Sequence, residues 1–247
     1  MFKKKSELIF GIRPLIEAIQ NNQEIEKIFV KKGIESDSWK ELYRILKGKN
    51  VPFQFVPVEK LNSLTNLNHQ GVVAFISKIE YAEIEKIIPF LYENGKTPLI
   101  LILDHITDVR NFGSICRTAE CAGVDAIVIP ANGSAQINSE SIKTSAGAIV
   151  KLQICRTFNL ERTISFLKDS GLKIISATEK AKQTIYETNY QFPLALVMGA
   201  EDTGISSSII KESDLTVKIP LFGEIASLNV SVSAGIILYE IIRSRMI

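Results

Sequence analysis

Three segments of this 247-residue chain carry polar side chains placed where chemistry could occur, each directly after an apolar run. The first is Asp104-His105-Ile106-Thr107-Asp108-Val109-Arg110-Asn111-Phe112-Gly113-Ser114-Ile115-Cys116-Arg117-Thr118-Ala119, which sets a carboxamide and a guanidinium on one stretch of helical period. A helix starting near Phe112 puts Asn111 at its N-cap and points Arg117 outward near the second turn. A plain capped helix with a surface arginine satisfies the same pattern. The second segment, Val197-Met198-Gly199-Ala200-Glu201-Asp202-Thr203-Gly204, runs from a strand into a turn where glycine lets backbone approach a ligand closely. Glu201 there equally suits a helix N-terminus. In the third, Lys218-Ile219-Pro220-Leu221-Phe222-Gly223-Glu224-Ile225-Ala226-Ser227-Leu228-Asn229-Val230-Ser231, a strand meets a loop whose Ser227 and Asn229 open a long apolar helix, either as caps or as ligand contacts.

Several chemistries are excluded by spacing. Neither G-x-x-x-x-G-K-[ST] nor G-x-G-x-x-G occurs at these turns, so the common nucleotide-binding fingerprints are absent. Two separated histidines, His69 and His105, make neither a metal site nor a catalytic triad. His69 reads as a turn residue at a strand entrance. Cys116, Cys121 and Cys155 are odd in number and lack a C-x-x-C spacing, which predicts three buried thiols rather than disulfides or a zinc knuckle.

The elements that must position these segments follow from periodicity. From Pro98 onward, near-continuous apolar runs at 99–103, 126–129, 173–177, 194–198 and 215–219 alternate with helical segments around 113–122, 139–146, 160–170, 206–212 and 231–243. Strands without polar alternation are covered on both faces, which predicts a parallel α/β sheet whose ligands bind beyond the strands' carboxyl ends. Residues 1–78 read as a smaller α/β unit, with helices over 12–19 and 39–46 and strands at 25–30, 53–56 and 72–76. Residues 79–97, broken at Pro89 and closed by Asn94-Gly95, read as a connector.

Charge divides along the same boundaries. The formal net charge of +2 conceals 13 Lys+Arg against 8 Asp+Glu in residues 1–78, 2 against 4 in 79–97, and 14 against 15 in 98–247. The basic excess lies entirely in the first unit, where Lys3-Lys4-Lys5, Arg13, Lys31-Lys32, Arg44, Lys47 and Lys49 are available for nucleic-acid phosphates. No apolar run approaches the ~18–20 residues of a membrane span, and the first residues lead into no apolar signal core, so the expected location is the cytoplasm and no membrane partner is expected.

Taken together and in order, the three segments resemble the signature motifs of the SpoU/TrmH group of RNA ribose methyltransferases in the SPOUT superfamily. The resemblance spans residues 98–247. The N-terminal region is similar to the RNA-binding domain joined to such enzymes, through Phe10-Gly11-Ile12-Arg13-Pro14-Leu15-Ile16-Glu17-Ala18 and His69-Gln70-Gly71-Val72-Val73-Ala74. The arrangement is most similar to the bacterial 23S rRNA guanosine 2′-O-methyltransferases. The resemblance implies a deep C-terminal trefoil knot that forms an S-adenosylmethionine site, a homodimer, and methylation of a ribose 2′-hydroxyl without a metal. It implies cofactor contacts from Gly199, Ile219 and Leu228, and a catalytic set of Asn111, Arg117, Glu201, Ser227 and Asn229. The implied partner is RNA, either 23S rRNA or an assembling large ribosomal subunit. A tRNA ribose methyltransferase, or a non-catalytic RNA-binding factor of ribosome assembly, are the alternative expectations.

Overall fold

In the computed structural model, residues 8–49 and 51–246 are described, and the chain divides into two units, Met1–Glu80 and Tyr81–Ile247. Lys3, Lys4 and Lys5 lie outside the described residues.

Unit 1 runs β1 (Leu8–Phe10), α1 (Ile12–Gln20), β2 (Ile25–Lys31), α2 (Asp37–Gly48), β3 (Phe53–Val56), α3 (Val58–Asn62), β4 (Val72–Ile76). Its sheet has the order β1-β4-β2-β3, with β4 antiparallel to β1 and β2, and β2 parallel to β3. Helical spacing in α1 puts Ile12, Leu15, Ile16 and Ile19 on one stripe, which packs with Leu42 and Leu46 of α2 against Ile28, Val30, Val72 and Ala74. Ser36 starts α2 by accepting the Trp39 amide at 3.1 Å. The short β1 and α3 are not foreseen from periodicity, which needs more residues than either supplies. Lys49, expected as an available cation, instead donates to the Ile19 carbonyl at 2.8 Å and to Asn22 at 3.3 Å, closing the end of α1.

Unit 2 begins with α4 (Ile84–Glu93), β5 (Leu99–Asp104), α5 (Val109–Cys121), β6 (Ala126–Pro130), α6 (Ser139–Thr144), β7 (Gln153–Thr157) and α7 (Leu160–Asp169). It continues through β8 (Lys173–Ala177), β9 (Gln183–Thr184), β10 (Leu194–Gly199), α8 (Ser207–Glu212), β11 (Leu215–Lys218) and α9 (Val230–Arg245). Its seven strands lie in the order β7-β6-β5-β10-β8-β11-β9, with every neighbouring pair parallel, as the unalternated apolar runs predict. All six residues of β5 are buried.

The connector expected at 79–97 is corrected. Helix α4 continues through Pro89, and its Ile84, Ile88 and Leu91 join Ile100, Ile102, Val128 and Ile164 in the core of unit 2. Proline in a helix interior costs about 3 kcal/mol; burying three large aliphatic side chains returns ~1.5–3 kcal/mol each, so packing wins. Strand β7 also escapes a reading by pattern, because Gln153-Ile154-Cys155-Arg156-Thr157 is too mixed to stand out from its neighbours. Of the three cysteines, Cys116 and Cys155 are buried but Cys121 is exposed at the end of α5, contrary to expectation. Burial pushes the Cys155 thiol up to about 12, with Glu85 adding to it, and pushes Cys116 up as well, so neither is a nucleophile at neutral pH.

Two features of unit 2 position its polar residues. Strand β10 sits between β5 and β8, so Gly199 pairs in register with Asp104 and the ends of two distant segments meet. Helix α9 is anchored at its far end by Arg245, whose guanidinium donates to the carbonyls of Thr97, Pro98, Tyr190 and Phe192 at 2.8–3.1 Å. Among the described residues, no helix is long and apolar enough to cross a membrane.

Candidate active site

Helix α5 starts two residues earlier than the expected N-cap. Asp108 is the cap, accepting the amides of Arg110 (2.9 Å) and Asn111 (2.7 Å), so Asn111 lies inside the first turn and its carboxamide is released from capping. A carboxylate three residues upstream does the capping, a signal present in the sequence as Thr107-Asp108 and overlooked in favour of the amide.

The freed carboxamide closes a triangle. Asn111 Nδ2 donates to Glu201 Oε1 at 3.2 Å; Asn229 Nδ2 donates to Asn111 Oδ1 at 2.9 Å and to the same Glu201 oxygen at 2.6 Å. Glu201 Oε1 also accepts the Val230 amide at 3.0 Å, at the first turn of α9. Asn229 is the N-cap of α9, its Oδ1 accepting from Ser231 N and Oγ and from Val232 N. Residues 90 and 118 positions apart are thereby locked together. Glu201 thus serves a helix N-terminus, that of α9, and ties it to Asn111 of α5.

Beside the triangle, a cleft opens at the carboxyl ends of β8, β10 and β11. Gly199, Glu201, Ile219, Ser227 and Leu228 all line it, with Met198 and Ala177 as apolar floor, and it encloses about 130 Å³ beneath the loop that leads to α9. Gly199 is required by close approach: a Cβ there would lie 2.3–2.4 Å from the backbone of Gly204 and Ile205, where the 200–204 turn folds back, with the Gly204 amide donating to the Ala200 carbonyl at 2.9 Å. The loop bears Phe222 and Ile225 largely in solvent. An apolar floor, an exposed loop and two carboxylates, Glu179 and Glu201, with Lys218 beside them, suit a flat aromatic heterocycle carrying polar and charged groups of both signs. Among the described residues no group of His, Cys, Asp and Glu could hold a metal ion.

Arg117 is not brought into this cluster. Six residues beyond Asn111, it projects ~120° away around α5, is exposed, and its side chain makes no hydrogen bond or ion pair with another described residue. Sequence reasoning also passed over Asp104, buried at 1% exposure, which accepts the Ser206 amide at 2.7 Å and pairs with His105 Nδ1 at 2.5 Å. Its position at the very end of the most apolar strand was the available signal.

A parallel sheet with its ligand cleft at the strand carboxyl ends, roofed by the loop before its last helix, places unit 2 in the α/β class of ligand-binding enzymes. Residues 98–239 match the SpoU rRNA Methylase family, and residues 8–82 match the domain described as RNA 2′-O ribose methyltransferase substrate binding. The chain belongs to the SpoU rRNA Methylase family and is an RNA 2′-O-methyltransferase of the SpoU/TrmH type. It is 31% identical over 242 residues to a Bacillus subtilis (strain 168) protein assigned to the TrmH family of tRNA/rRNA methyltransferases, covering 98% of this chain and 97% of that one. Its fold matches the SpoU methyltransferase AviRb of Streptomyces viridochromogenes in complex with AdoMet, with a TM-score of 0.62, 22% identity, and coverage of 97% and 90%. The A. aeolicus TrmH/SpoU tRNA modifying enzyme matches with a TM-score of 0.56 and 31% identity over 66% of this chain and 84% of that one.

Proposed function

We propose that this protein transfers the methyl group of S-adenosylmethionine to the ribose 2′-hydroxyl of a guanosine in 23S rRNA. The observation that carries the methyl-transfer part of this reading is the Asn111–Glu201–Asn229 triangle, which joins all three motif segments at the edge of a cleft lined by Gly199, Ile219, Ser227 and Leu228, while the 23S rRNA target rests on the motif resemblance. When bound, S-adenosylmethionine supplies an electrophilic methyl on a sulfonium. The chain's residues bind, orient and stabilise charge. Backbone groups around Gly199, Ile219 and Leu228 hold the cofactor, and Ser227 and Asn229 fix the loop over it.

A ribose hydroxyl is a poor nucleophile, so developing alkoxide charge must be stabilised. Arg117 takes that role. A guanidinium stays protonated at neutral pH and is a donor only, so Arg117 acts by field and hydrogen bonding on the hydroxyl and its adjacent phosphate, while a phosphate oxygen or solvent takes the proton. Its exposure and lack of a side-chain partner among the described residues support a side chain held ready for RNA.

The mature assembly in this reading is a cytoplasmic homodimer with a knotted C-terminal region. Helix α9 supports the first, with exposed Val232 and Tyr239 opposite its buried Ala234, Ile237 and Ile241; sedimentation at micromolar concentration should give twice the chain mass. The insertion of β10 between β5 and β8, with α9 returning to pack on α5, supports the second. Unit 1, carrying Arg13, Lys31, Lys32 and Arg44 exposed, captures RNA.

Tritiated S-adenosylmethionine supplied with purified rRNA and tRNA is the test. Label in 23S rRNA, lost from one nucleotide in a deletion strain, is the expected result. Label in tRNA alone overturns the rRNA assignment, and bound cofactor with no transfer to either RNA overturns the enzymatic reading.

A further inference from the structure

Outside the cofactor cleft, a second cavity of about 340 Å³ lies at the carboxyl ends of β5, β6 and β7. It is joined to the catalytic triangle by one residue. His105 lines this cavity and also a neighbouring one of about 230 Å³ bounded by Asn111 and Glu201.

His105 is held in place from three directions. Its backbone sits at φ 58°, a left-handed conformation a non-glycine residue adopts at a cost, and such strain clusters at functional sites. Its Nδ1–H donates to the buried Asp104 carboxylate, which is itself fixed by the Ser206 amide, leaving Nε2 as the free ring nitrogen. The ring edge rests where a side chain of residue 133 would be: a Cβ on Gly133 would lie 2.8 Å from His105 Cδ2.

We propose that the larger cavity is a subsite for one unpaired base of the RNA strand, flanking the nucleotide that is methylated. The inference rests on the RNA-methyltransferase reading of the chain. Phe158, between β7 and α7, lines the cavity and is 54% exposed, an aromatic ring available for stacking. Asn132, Ser206 and Ser208 line it with side chains that make no hydrogen bond to other described residues, an amide and two hydroxyls that match base edges. Proteins read single-stranded RNA in this way, by stacking unstacked bases on aromatic or histidine rings and hydrogen-bonding their edges.

Charge selects the base over the backbone. No lysine or arginine lines the cavity, whereas Glu161 does, so a phosphate would meet like charge there. The same carboxylate accepts hydrogen bonds from an exocyclic amino group, which favours guanine, adenine or cytosine over uracil.

The test uses the full-length protein and an oligouridylate carrying one central 2-aminopurine, whose fluorescence falls on stacking. Saturable quenching in the presence of S-adenosylmethionine is expected, weakened roughly 5- to 150-fold by Phe158→Ala and preserved by Phe158→Trp. Unchanged cofactor affinity in Phe158→Ala, whose side chain is at the surface, establishes that the variant is folded. Absence of quenching in the parent, or equal affinity in Phe158→Ala, overturns the subsite, and methyl transfer to rRNA by the same preparation shows that the broader function stands regardless. Phe158-dependent quenching without transfer to any RNA supports the base site while overturning the methyltransferase reading.

Discussion

Arg117 and Glu201 divide two kinds of work that sequence spacing alone cannot separate. Glu201 is spent on structure as well as on the site, with one carboxylate oxygen taking three donors. The Arg117 side chain is spent on nothing among the described residues and stands exposed. Arg117→Ala should therefore leave cofactor affinity and melting temperature unchanged while turnover falls on the order of 10²–10³, the usual loss on deleting one preorganised charge-stabilising group. Single-turnover methylation under saturating cofactor checks this, and near-normal rates would remove Arg117 from the mechanism. Arg117→Lys keeps the charge but loses the bidentate fork, so partial recovery would assign the effect to charge. The residue types were legible before folding; which of them were already paired was not, because pairing across 90 or more positions depends on strand order.

At the scale of elements, α9 is held at both ends by specific side chains. Its first turn depends on Glu201 and its own Asn229; its last on Arg245. Glu201→Ala leaves the Val230 amide without its acceptor and should cost ~1–2 kcal/mol, as for loss of a helix cap, or ~2–8 °C in melting temperature for a unit of this size. Scanning calorimetry measures it, and an unchanged melting temperature would mean that the triangle does not hold α9. Along the same helix, Glu240 is 7% exposed, and Arg243 grips both its oxygens at 2.7 and 2.8 Å. That fork holds the Glu240 carboxyl below the usual carboxylate range. Because the native value is depressed, the stabilisation is present above the ordinary glutamate value of about 4.3 and is lost as pH falls through the native one. Glu240→Gln should accordingly flatten the acid limb of the melting-temperature profile and lower stability at pH 7; an acid limb of unchanged slope would show the pair is immaterial.

For the whole molecule, the proposed division of labour parallels the division of charge. Unit 1 and unit 2 each carry their own apolar core, so residues 81–247 should fold without the first unit and still bind S-adenosylmethionine. RNA affinity should fall and its dependence on salt should flatten, by ~0.7 in log–log slope for each single-strand phosphate contact removed. Binding titrations of both forms between low and physiological salt decide it. An equal slope in the two would assign RNA capture to unit 2.

What the sequence determined by itself was local or cumulative: unalternated apolar runs specify a parallel sheet, Asn229 starts a helix, and the three motif segments carry the family resemblance. Even the connector could be misread locally, since Pro89 argues against a helix that only burial of Ile84, Ile88 and Leu91 maintains. The tertiary structure alone decided which polar groups meet. Setting β10 beside β5 aligns Gly199 with Asp104, brings Glu201 to Asn111 and Asn229, and leaves Arg117 outside their ring. Hydrogen bonds act over about 3 Å, and no one-dimensional spacing encodes a distance that only the order of the strands creates.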